Sequence, residues 1–459
     1  MMKSVHWDIT TKCNLRCRHC YNAEKYFNCS SDRYIDQEMS SAEALRCVDM
    51  FFQDGIEHIH LLGGEPLASQ YLFPVIERAK KYGMIVTINS NACLLTPTVQ
   101  AKLLENDVDQ FAASLDGCTP ETNDAIRGKG VFHTVVRNMT SFVQRIREGK
   151  NQTKTAIVFT VTKKNLGELV RLPELAARIG VDLVVLTTFI ESGAGKENKQ
   201  DFHADYSAVC SSIEDMVNQI GTSEIHLPIQ IDMRPKLVSY FMNKYNAQIV
   251  TNPKNDYCYA GTDMWYLEAN GCIHPCLAFQ LDSGKGFFSS GEIVKEDLSL
   301  ASLTMEEVRE SNYIRSFLQE RNGFSVKDKP LCRSCTFLND CKPCFMDFKF
   351  GDCVPQECTW VEQQKRQLYD SFLNSKFFVN ESVWYCQKQK KVFCNNQETI
   401  RIDNDVAEDM LCFLLKDTDF THLRDYLCQE YNVDEDILLD DMTDIVLILL
   451  KNHIICMEE

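Results

Sequence analysis

The chain has 459 residues, of which 44% are apolar and 25% charged, and its net charge is −17. This length exceeds one ordinary hydrophobic core, so we expect two or three globular domains. The acidic balance argues against a nucleic-acid partner, which needs a basic face. The longest aliphatic run, residues 445–450, is too short to span a bilayer. The first residues also lack the pattern of a signal peptide, so we expect a cytoplasmic protein with no membrane partner.

Cysteine is unusually abundant, with 22 residues. In a reducing compartment, metal or cluster ligation explains such a number better than disulfides do. The cysteines bunch in three segments, residues 13–20, 258–276 and 332–358, while others stand singly in apolar or helical settings that suit packing. The bunched cysteines are therefore the candidate ligands.

A short apolar run that ends at Ile9 opens into the first bunch. Cys13, Cys17 and Cys20 are spaced C-x3-C-x2-C. Three thiolates this close can hold three irons of a four-iron cluster and leave the fourth iron without a protein ligand. A zinc site or buried free thiols are the alternative, but structural zinc usually takes paired doublets. We expect a buried strand that leads into a cluster-binding loop.

Strands and helices alternate after this loop. Ser40 and Glu43 form a capping-box pattern that starts a helix ending at Gly55. The alternation predicts right-handed crossovers and a parallel sheet. Six strands favour an α/β fold with a partial (β/α)6 barrel over a closed eight-stranded one. The later strands are predicted at residues 56–62, 85–88, 111–114, 155–161 and 183–186, and the helices between them at 72–82, 97–105, 132–147 and 169–179.

Polar motifs follow the predicted strands. In parallel barrels the reactive residues sit at the carboxyl ends of the strands. Glycine amides can approach a ligand closely, and a carboxylate can accept from an ammonium group. The motifs are Gly63-Gly64-Glu65-Pro66 after strand two, Ser90-Asn91-Ala92 after strand three, Ser114-Leu115-Asp116-Gly117 after strand four, and Arg127-Gly128 farther on.

The cysteine triplet and these motifs, in this order, resemble the radical S-adenosylmethionine (SAM) superfamily. The resemblance implies that Cys13, Cys17 and Cys20 hold the catalytic cluster and that its open iron chelates SAM. Reductive cleavage would then yield a 5′-deoxyadenosyl radical that takes hydrogen from a substrate. Ala92 stands where the family commonly has glycine, which is tolerable only with a negative φ. The implied SAM contacts are His19, Tyr21, Gly63, Gly64, Glu65, Asn91, Ser114, Asp116 and Arg127.

The later cysteines resemble the SPASM extension of radical enzymes. A cysteine followed by Gly271-x4-Cys276 matches its first half, and C-x2-C-x5-C-x2-C from Cys332 matches its second half. The resemblance implies two auxiliary four-iron clusters. Zinc ribbons are the alternative, because C-x2-C doublets also bind zinc. The implied ligands are Cys332, Cys335, Cys341 and Cys358 for one cluster and Cys258, Cys276 and Cys344 for the other, with Cys272 as a possible fourth ligand and Cys353 as a substitute for Cys358.

The last 80 or so residues follow a pattern of their own. Alternating runs at 377–386 and 391–402 predict a hairpin, followed by helices near 406–416, 421–431 and 436–451 and a final strand at 454–455. This small winged-helix-like order resembles the PqqD-like leader-recognition elements of ribosomal-peptide maturases, where a peptide adds a strand to the sheet edge. From Arg401 onward there are 4 Lys or Arg against 16 Asp or Glu, a balance that repels DNA phosphates. A dimerisation or capping module is the plainer alternative.

Together these features predict a radical SAM peptide maturase that forms a thioether or carbon–carbon crosslink. Its domains would be a barrel at 1–230, a bridging and SPASM domain at 231–374 and a recognition domain at 375–459. The implied cofactors are SAM and three four-iron clusters, and the partners are a precursor peptide bound through its leader and a reductant such as flavodoxin or ferredoxin. One rival is a sulfatase-type maturase, whose relatives carry Asp where Leu277 stands here. The other is a non-catalytic cluster-binding electron-transfer scaffold.

Overall fold

A computed structural model gives the three-dimensional structure of most of the chain. It describes residues 2–23, 38–250, 258–277, 298–323, 332, 335, 356–395, 397–402, 404–433 and 435–458. Three of the predicted cluster ligands, Cys341, Cys344 and Cys353, lie outside these residues. Within the described ranges, no helix is both long and apolar enough to cross a membrane.

A parallel sheet forms the centre of the molecule. Its first eight strands pair in parallel in chain order, so that each of the first seven lies beside the next one along the chain. These strands are β1 (Ser4–Asp8), β2 (His58–Leu62), β3 (Ile85–Ser90), β4 (Gln110–Ser114), β5 (Lys154–Val161), β6 (Leu183–Thr188), β7 (Ile229–Ile231) and β8 (Ile249–Val250). All six predicted strands are present, and the parallel α/β architecture is confirmed.

The sheet continues on the far side of β1. Strand β9 (Met264–Leu267) lies parallel to β1, and β10 (Ile273–His274) runs antiparallel to β9. In the described part of the chain the order is linear, from β10 at one edge to β8 at the other. The barrel is therefore open, and the second cysteine segment contributes directly to its sheet.

Helices cover one face of this sheet. Trp7, Ile59, Ile88 and Phe111 on successive strands point into the apolar layer beneath them and are fully buried. In chain order, the described part of the chain up to residue 373 has the helices α1 (Ser41–Gln53), α2 (Leu72–Lys81), α3 (Pro97–Glu105), α4 (Pro120–Arg127), α5 (Val131–Gly149), α6 (Leu172–Ile179), α7 (Ala194–Glu197), α8 (Lys199–Phe202), α9 (Tyr206–Thr222), α10 (Pro235–Lys244), α11 (Met305–Glu310), α12 (Asn312–Gly323) and α13 (Gln356–Leu373). Short 3-10 turns span Pro66–Ala68 and Leu166–Arg171.

The predicted capping box at the start of α1 is present. The Ser40 hydroxyl accepts from the Glu43 backbone N–H at 3.3 Å, and the Glu43 carboxylate accepts from the Ser40 N–H at 2.7 Å. Two of the unpaired N–H groups at this helix end are thereby satisfied.

The C-terminal residues form strands and three helices, but the strands differ from the predicted single hairpin. Strands β12 (Val383–Cys386), β13 (Lys391–Cys394) and β14 (Gln397–Arg401) make an antiparallel three-stranded sheet, while β11 (Phe377–Val379) pairs with the last strand in the described part of the chain. A turn at Asn380, whose side chain accepts from the Ser382 N–H at 3.0 Å, interrupts the first run. Asn395, with φ of +52°, interrupts the second. The elements are β11 (Phe377–Val379), β12 (Val383–Cys386), β13 (Lys391–Cys394), β14 (Gln397–Arg401), α14 (Asp405–Leu414), α15 (Phe420–Tyr431), α16 (Glu435–Lys451) and β15 (Ile455–Met457).

This C-terminal part is docked against the rest of the chain through α16, which packs on α10 and α13. Two lysines with side chains only 3% exposed lie at the contact. Lys236 Nζ is 3.0 Å from Asp440, and Lys365 Nζ is 3.2 Å from Asp440 and 2.8 Å from Asp444. Because a buried lysine without a partner is costly, these pairs favour one fixed arrangement of the contact.

Candidate functional site

The cysteine loop leaves β1 and is held on one side by the Glu38 carboxylate and on the other by the Gly63-Gly64-Glu65 turn. The Glu38 carboxylate accepts from the Thr10 hydroxyl at 2.7 Å and from the N–H and hydroxyl of Thr11, both at 2.8 Å. On the other side, the Gly64 N–H donates to the Thr10 carbonyl oxygen and the Glu65 N–H to that of Lys12, each at 2.7 Å. A Cβ on Gly64 would overlap the Lys12 carbonyl oxygen. The Gly-Gly-Glu turn thus supports the start of the loop with the amides that the sequence assigned to a ligand.

The three loop thiols are neighbours in a partly buried setting. Burial raises the pKa of all three, that of Cys17 to about 11 and that of Cys20 to about 12, and neighbouring thiols of the triplet add to the rise for both. Cys13 Sγ accepts from the Leu15 N–H at 3.4 Å and lies 3.8 Å from the Asn91 amide nitrogen. Among the described residues, however, no three His, Cys, Asp or Glu side chains already stand together as a metal-binding group.

A buried charge cluster lies beside the loop. Asp116, at the end of β4, is fully buried and lies 2.6 Å from the Arg127 guanidinium and 2.7 Å from His19 Nε2. Its other oxygen accepts from the Thr160 N–H at 2.8 Å. Burial raises the pKa of the Asp116 carboxyl, but the charges of Arg127 and His19 outweigh burial and hold the pKa below its usual range. The structure therefore brings together three of the predicted SAM contacts, with Asp116 as the common partner.

A second predicted group is organised by Glu65. Its carboxylate is 1% exposed and accepts from the Ser90 hydroxyl at 2.6 Å, from the Asn91 N–H at 2.8 Å and from the Leu67 N–H at 3.0 Å. Burial raises the pKa of this carboxyl despite the three donors. Ala92, which follows Asn91 in sequence, has φ of +54°. The negative φ predicted for this alanine is therefore wrong. The Ala92 backbone thus lies in the left-handed region, which glycine adopts more easily than alanine does.

Three side chains at the carboxyl end of β1 were not anticipated. Asp8 is fully buried, and its carboxylate accepts from the Tyr266 hydroxyl at 2.5 Å and lies 3.3 Å from the Asn22 amide nitrogen. Tyr266 belongs to β9, and Asn22 follows the last loop cysteine by two residues. The contact links the first and second cysteine segments. The carboxylate at the end of the buried strand β1 was the only hint of it.

The structure places part of the second cysteine segment. A hydrogen bond from the Gly261 N–H to the Pro275 carbonyl oxygen, 3.2 Å long, joins the two short segments that carry Cys258 and Cys276. Cys272 lies at the turn between β9 and β10, at the other end of β10 from Cys276. The two residues of β10 separate it from a bend at residues 275–276, where Cys276 lies.

In the third cysteine segment, residues 332–358, the structure describes three cysteines: Cys332, Cys335 and Cys358. Cys332 and Cys335 share a turn, with the Cys335 N–H donating to the Cys332 carbonyl oxygen at 3.2 Å. Cys358 is buried in the first turn of α13.

Comparison with known proteins identifies the barrel. Residues 7–173 match the model of the radical SAM superfamily. The N-terminal part of the chain is a radical SAM domain. The match spans β1 to the start of α6 and includes the cysteine loop and all of the strand-end motifs named above.

Relatives extend beyond the radical SAM domain to different degrees. The chain is 31% identical over 197 residues to the mycofactocin maturase MftC of Mycolicibacterium smegmatis, which covers 43% of this chain and 47% of the relative. It thus spans about half the length of that relative. It is 26% identical over 283 residues to the AdoMet-dependent heme synthase of Methanosarcina barkeri, which covers 59% of this chain and 76% of the relative.

A solved structure shares the fold over a larger part. Streptococcus suis SuiB bound to the precursor peptide SuiA aligns with a TM-score of 0.58 and 16% identity, covering 76% of this chain and 73% of SuiB. The likeness therefore extends past the radical SAM domain, at the level of the fold.

The loop suits a four-iron cluster. With raised pKa values, the three thiols are neutral near pH 7 and become thiolates only next to a strong positive charge, such as that of iron. The backbone N–H of Leu15 and the Asn91 amide already point at Cys13 Sγ, and such donors stabilise a cluster ligand.

Proposed function

We propose that the chain is a radical SAM enzyme that modifies a ribosomally made precursor peptide by forming a thioether or carbon–carbon crosslink. The observation that carries the proposal is the entry of the second cysteine segment into the barrel sheet as β9, next to β1. A peptide at the mouth of the barrel would then lie between the cysteine loop and the second cysteine segment. The similarity to MftC and the fold shared with SuiB agree with a peptide substrate.

In this proposal Cys13, Cys17 and Cys20 hold a four-iron cluster. Together with bound SAM, that cluster supplies hydrogen-atom abstraction. The chain's own part is to position SAM and exclude water. We assign this role to Arg127 and His19, which the Asp116 carboxylate fixes in place. The other proposed SAM contacts are Tyr21, Gly63, Gly64, Glu65, Asn91 and Ser114.

The remaining cysteines would hold two auxiliary clusters. We assign Cys332, Cys335, Cys341 and Cys358 to one and Cys258, Cys276 and Cys344 to the other, with Cys353 as the substitute for Cys358. Cys272 is the candidate for the fourth ligand of the second cluster, and without it one iron of that cluster stays open. The open iron would bind a substrate thiolate or pass on an electron.

The C-terminal residues 375–459 would recognise the leader of the precursor. They present an exposed aromatic pair: Trp384, 46% exposed, stacks on Phe393 with ring centres 4.2 Å apart. Both side chains stand on the β12–β13–β14 sheet, whose edge strands can accept an added strand. The surplus of carboxylates after residue 401 would favour a leader with basic residues.

The enzyme proposal is tested by anaerobic reconstitution with iron and sulfide, followed by SAM and dithionite. We expect at least about 8 irons per chain, because two or three four-iron clusters are proposed, and formation of 5′-deoxyadenosine. Fewer irons, or no 5′-deoxyadenosine, would contradict the proposal and favour a zinc site or a non-catalytic scaffold.

The leader proposal is tested on the aromatic pair, because deleting the module would expose the buried lysines of α10 and α13. We expect Trp384→Ser to weaken binding of candidate peptides encoded beside the gene, measured by fluorescence anisotropy. The matched control is Phe52→Ser: Phe52 is 48% exposed and stacks on Tyr82 with ring centres 4.2 Å apart, but lies on the barrel. Equal effects of the two variants would refute a specific site.

A second candidate substrate class follows from the heme synthase, which the chain matches over 76% of that relative's length. In that case iron-porphyrin precursors should bind and be converted, and Trp384→Ser should have no effect. Incubating the reconstituted enzyme with peptide and with porphyrin in parallel separates the two.

A further inference from the structure

A row of polar side chains crosses the barrel sheet on the face turned away from the helices. Successive side chains of a strand point to opposite faces, and Trp7 and Ile59 point to the helices. His6 and His60 therefore face the barrel interior, where they pair in register, and His60 pairs in register with Thr87. Strands β1, β2 and β3 thus place two imidazoles and a hydroxyl at one level of the interior.

A third histidine extends this row toward the amino end of β2. The ring of His58 lies 6.1 Å from that of His60, centre to centre, and the His60 ring lies 4.9 Å from that of His6. His58 Nε2 is also 2.9 Å from the Thr87 hydroxyl oxygen. Each of the three histidines is half-buried. We use the name histidine row for His6, His58 and His60.

The histidine row leads to a buried carboxylate at the mouth of the barrel. Tyr266 pairs in register with His6, is 1% exposed and donates to Asp8 at 2.5 Å. Asp8 is fully buried and stands two residues beyond His6, at the carboxyl end of β1. On β2, the register partner of Asp8 is Leu62, four residues after His58, which is about 13 Å of strand. These groups therefore connect the mouth with the opposite end of the strands.

The connected groups have the chemistry of a proton path. A carboxylate accepts a proton, and a neutral imidazole can donate from one ring nitrogen while it accepts at the other. A closed active site keeps water away from reactive intermediates. A proton released at the mouth of the barrel then needs an exit through the protein.

The proposed crosslink releases such a proton. Two substrate bonds to hydrogen break, one of them C–H and the other S–H or C–H, and one S–C or C–C bond forms. One hydrogen atom leaves in 5′-deoxyadenosine, and the second electron leaves through the proposed auxiliary clusters. The other hydrogen is therefore left as a proton.

We propose that Asp8 accepts this proton and that the Tyr266 hydroxyl and the histidine row carry it to solvent at the amino ends of the strands. The inference rests on the proposed function. The proton moves from the substrate to the Asp8 carboxylate and then, by way of Tyr266, along the ring nitrogens of the histidine row. No group of the path changes its oxidation state, and Asp8 returns to its anionic form.

Other titratable groups face the path. Tyr21 hydrogen-bonds to Tyr266 close to Asp8. On β10, His274 pairs in register with Tyr266, and its Nε2 lies 2.8 Å from the Glu268 carboxylate. Because His274 stands between two proposed cluster ligands and pairs with its own carboxylate, we place it outside the path. The path begins at Asp8 and ends at the histidine row.

The first test needs neither substrate nor a bound cluster. Histidine is labelled with carbon-13 in the full chain, and the ring resonance of His6, identified by its loss in His6→Gln, is titrated by NMR. In Asp8→Asn we expect His6 to titrate at lower pH by about half a pH unit or more, because a negative charge about 7 Å away is removed. His133, an exposed histidine of α5, is the control and should not change.

The second test follows crosslink formation with dithionite and precursor peptides encoded beside the gene. Asp8→Asn should lower the crosslink rate about 100-fold or more, as expected for the loss of a positioned base, while 5′-deoxyadenosine still forms at the wild-type rate. In His60→Ala the crosslink rate should fall about tenfold, and imidazole in the buffer should restore most of it. His60→Gln should be slow with or without imidazole and should be slowed further by heavy water than the wild type is. His133→Ala should match the wild type throughout.

The inference is overturned if His6 titrates identically in the wild type and in Asp8→Asn, if both His60 variants form crosslink at the wild-type rate, or if imidazole leaves His60→Ala slow. A parallel fall of 5′-deoxyadenosine in these variants would also overturn it, because that result indicates a damaged barrel and not a lost proton step. Should His60→Ala not fold, His60→Gln decides, and a heavy-water effect equal to that of the wild type overturns the inference. If the wild type makes 5′-deoxyadenosine but no crosslink, the proposed function fails. The titration of His6 then still decides whether Asp8 and the histidine row are coupled.

Discussion

The support of the cysteine loop by the Gly63-Gly64 turn leads to a sharp prediction for Gly64→Ala. The added Cβ would overlap the Lys12 carbonyl oxygen and lie 2.6 Å from that of Thr11. To relieve the overlap, the turn must move away and give up the hydrogen bonds from the Gly64 and Glu65 N–H groups to the loop. Each lost bond costs about 1 kcal/mol, and forced repacking adds about 1–3 kcal/mol. We expect a total loss of about 3–5 kcal/mol.

Gly167→Ala is the matched control, because nothing lies within 4 Å of its added Cβ. Its change in stability should stay within about 1 kcal/mol and can be favourable. Urea unfolding, followed by far-UV circular dichroism, measures both variants, and iron content after reconstitution reports on the loop. Equal midpoints and equal iron content for the two variants would show that the turn does not hold the loop.

Three further variants test other buried contacts. Asp116→Asn leaves Arg127 without its anionic partner and should cost about 3–5 kcal/mol near neutral pH. Because the folded-state pKa of Asp116 is lowered, this difference should persist above about pH 4 and shrink as the pH falls below it, as acid-unfolding series would show. Lys236→Met removes one of the two lysines paired with Asp440 and should cost about 1.5–3 kcal/mol, whereas the exposed Lys388→Met should cost under about 0.5 kcal/mol, both measured by urea unfolding. Ala92→Gly should stay within about 1 kcal/mol of the wild type, since relief of the left-handed backbone offsets a lost methyl group, while Ala92→Val should cost over about 2 kcal/mol in the same assay.

The local pattern of the sequence was enough to predict the barrel. Strands covered on both faces of a parallel sheet read as continuous apolar runs, which is why the mostly apolar Thr155–Val161 stood out. Ile56–Leu62 mixes apolar and polar residues instead, and its end is marked by Gly63-Gly64. Ends were less exact: β2 begins at His58, two residues after the predicted start. The pairing of β9 with β1 was out of reach, because it joins residues about 260 positions apart and depends on tertiary contact.

The candidate site could be predicted where its residues lie close together in the sequence. The C-x3-C-x2-C triplet and the strand-end motifs could be read directly. The anchoring of the loop by Glu38 and the link from Asp8 to Tyr266 could not, because those partners are distant or unremarkable in sequence. The Gly63-Gly64 motif was predicted as a ligand contact, and its support of the loop was not predicted, since a need for close backbone approach does not say which backbone or ligand approaches.

The helix α13 changes how leader binding would act on catalysis. It carries Cys358 in its first turn and Lys365 seven residues later, about 10 Å along the axis. Lys365 is buried against Asp440 and Asp444 of α16. One rigid element therefore joins a proposed cluster ligand to the proposed recognition module. A flexible tether would raise the local concentration of the core peptide without orienting it, whereas a docked module also limits the direction from which the peptide reaches the barrel. A spacer of altered length between leader and core should then change which residue is modified, not only how fast.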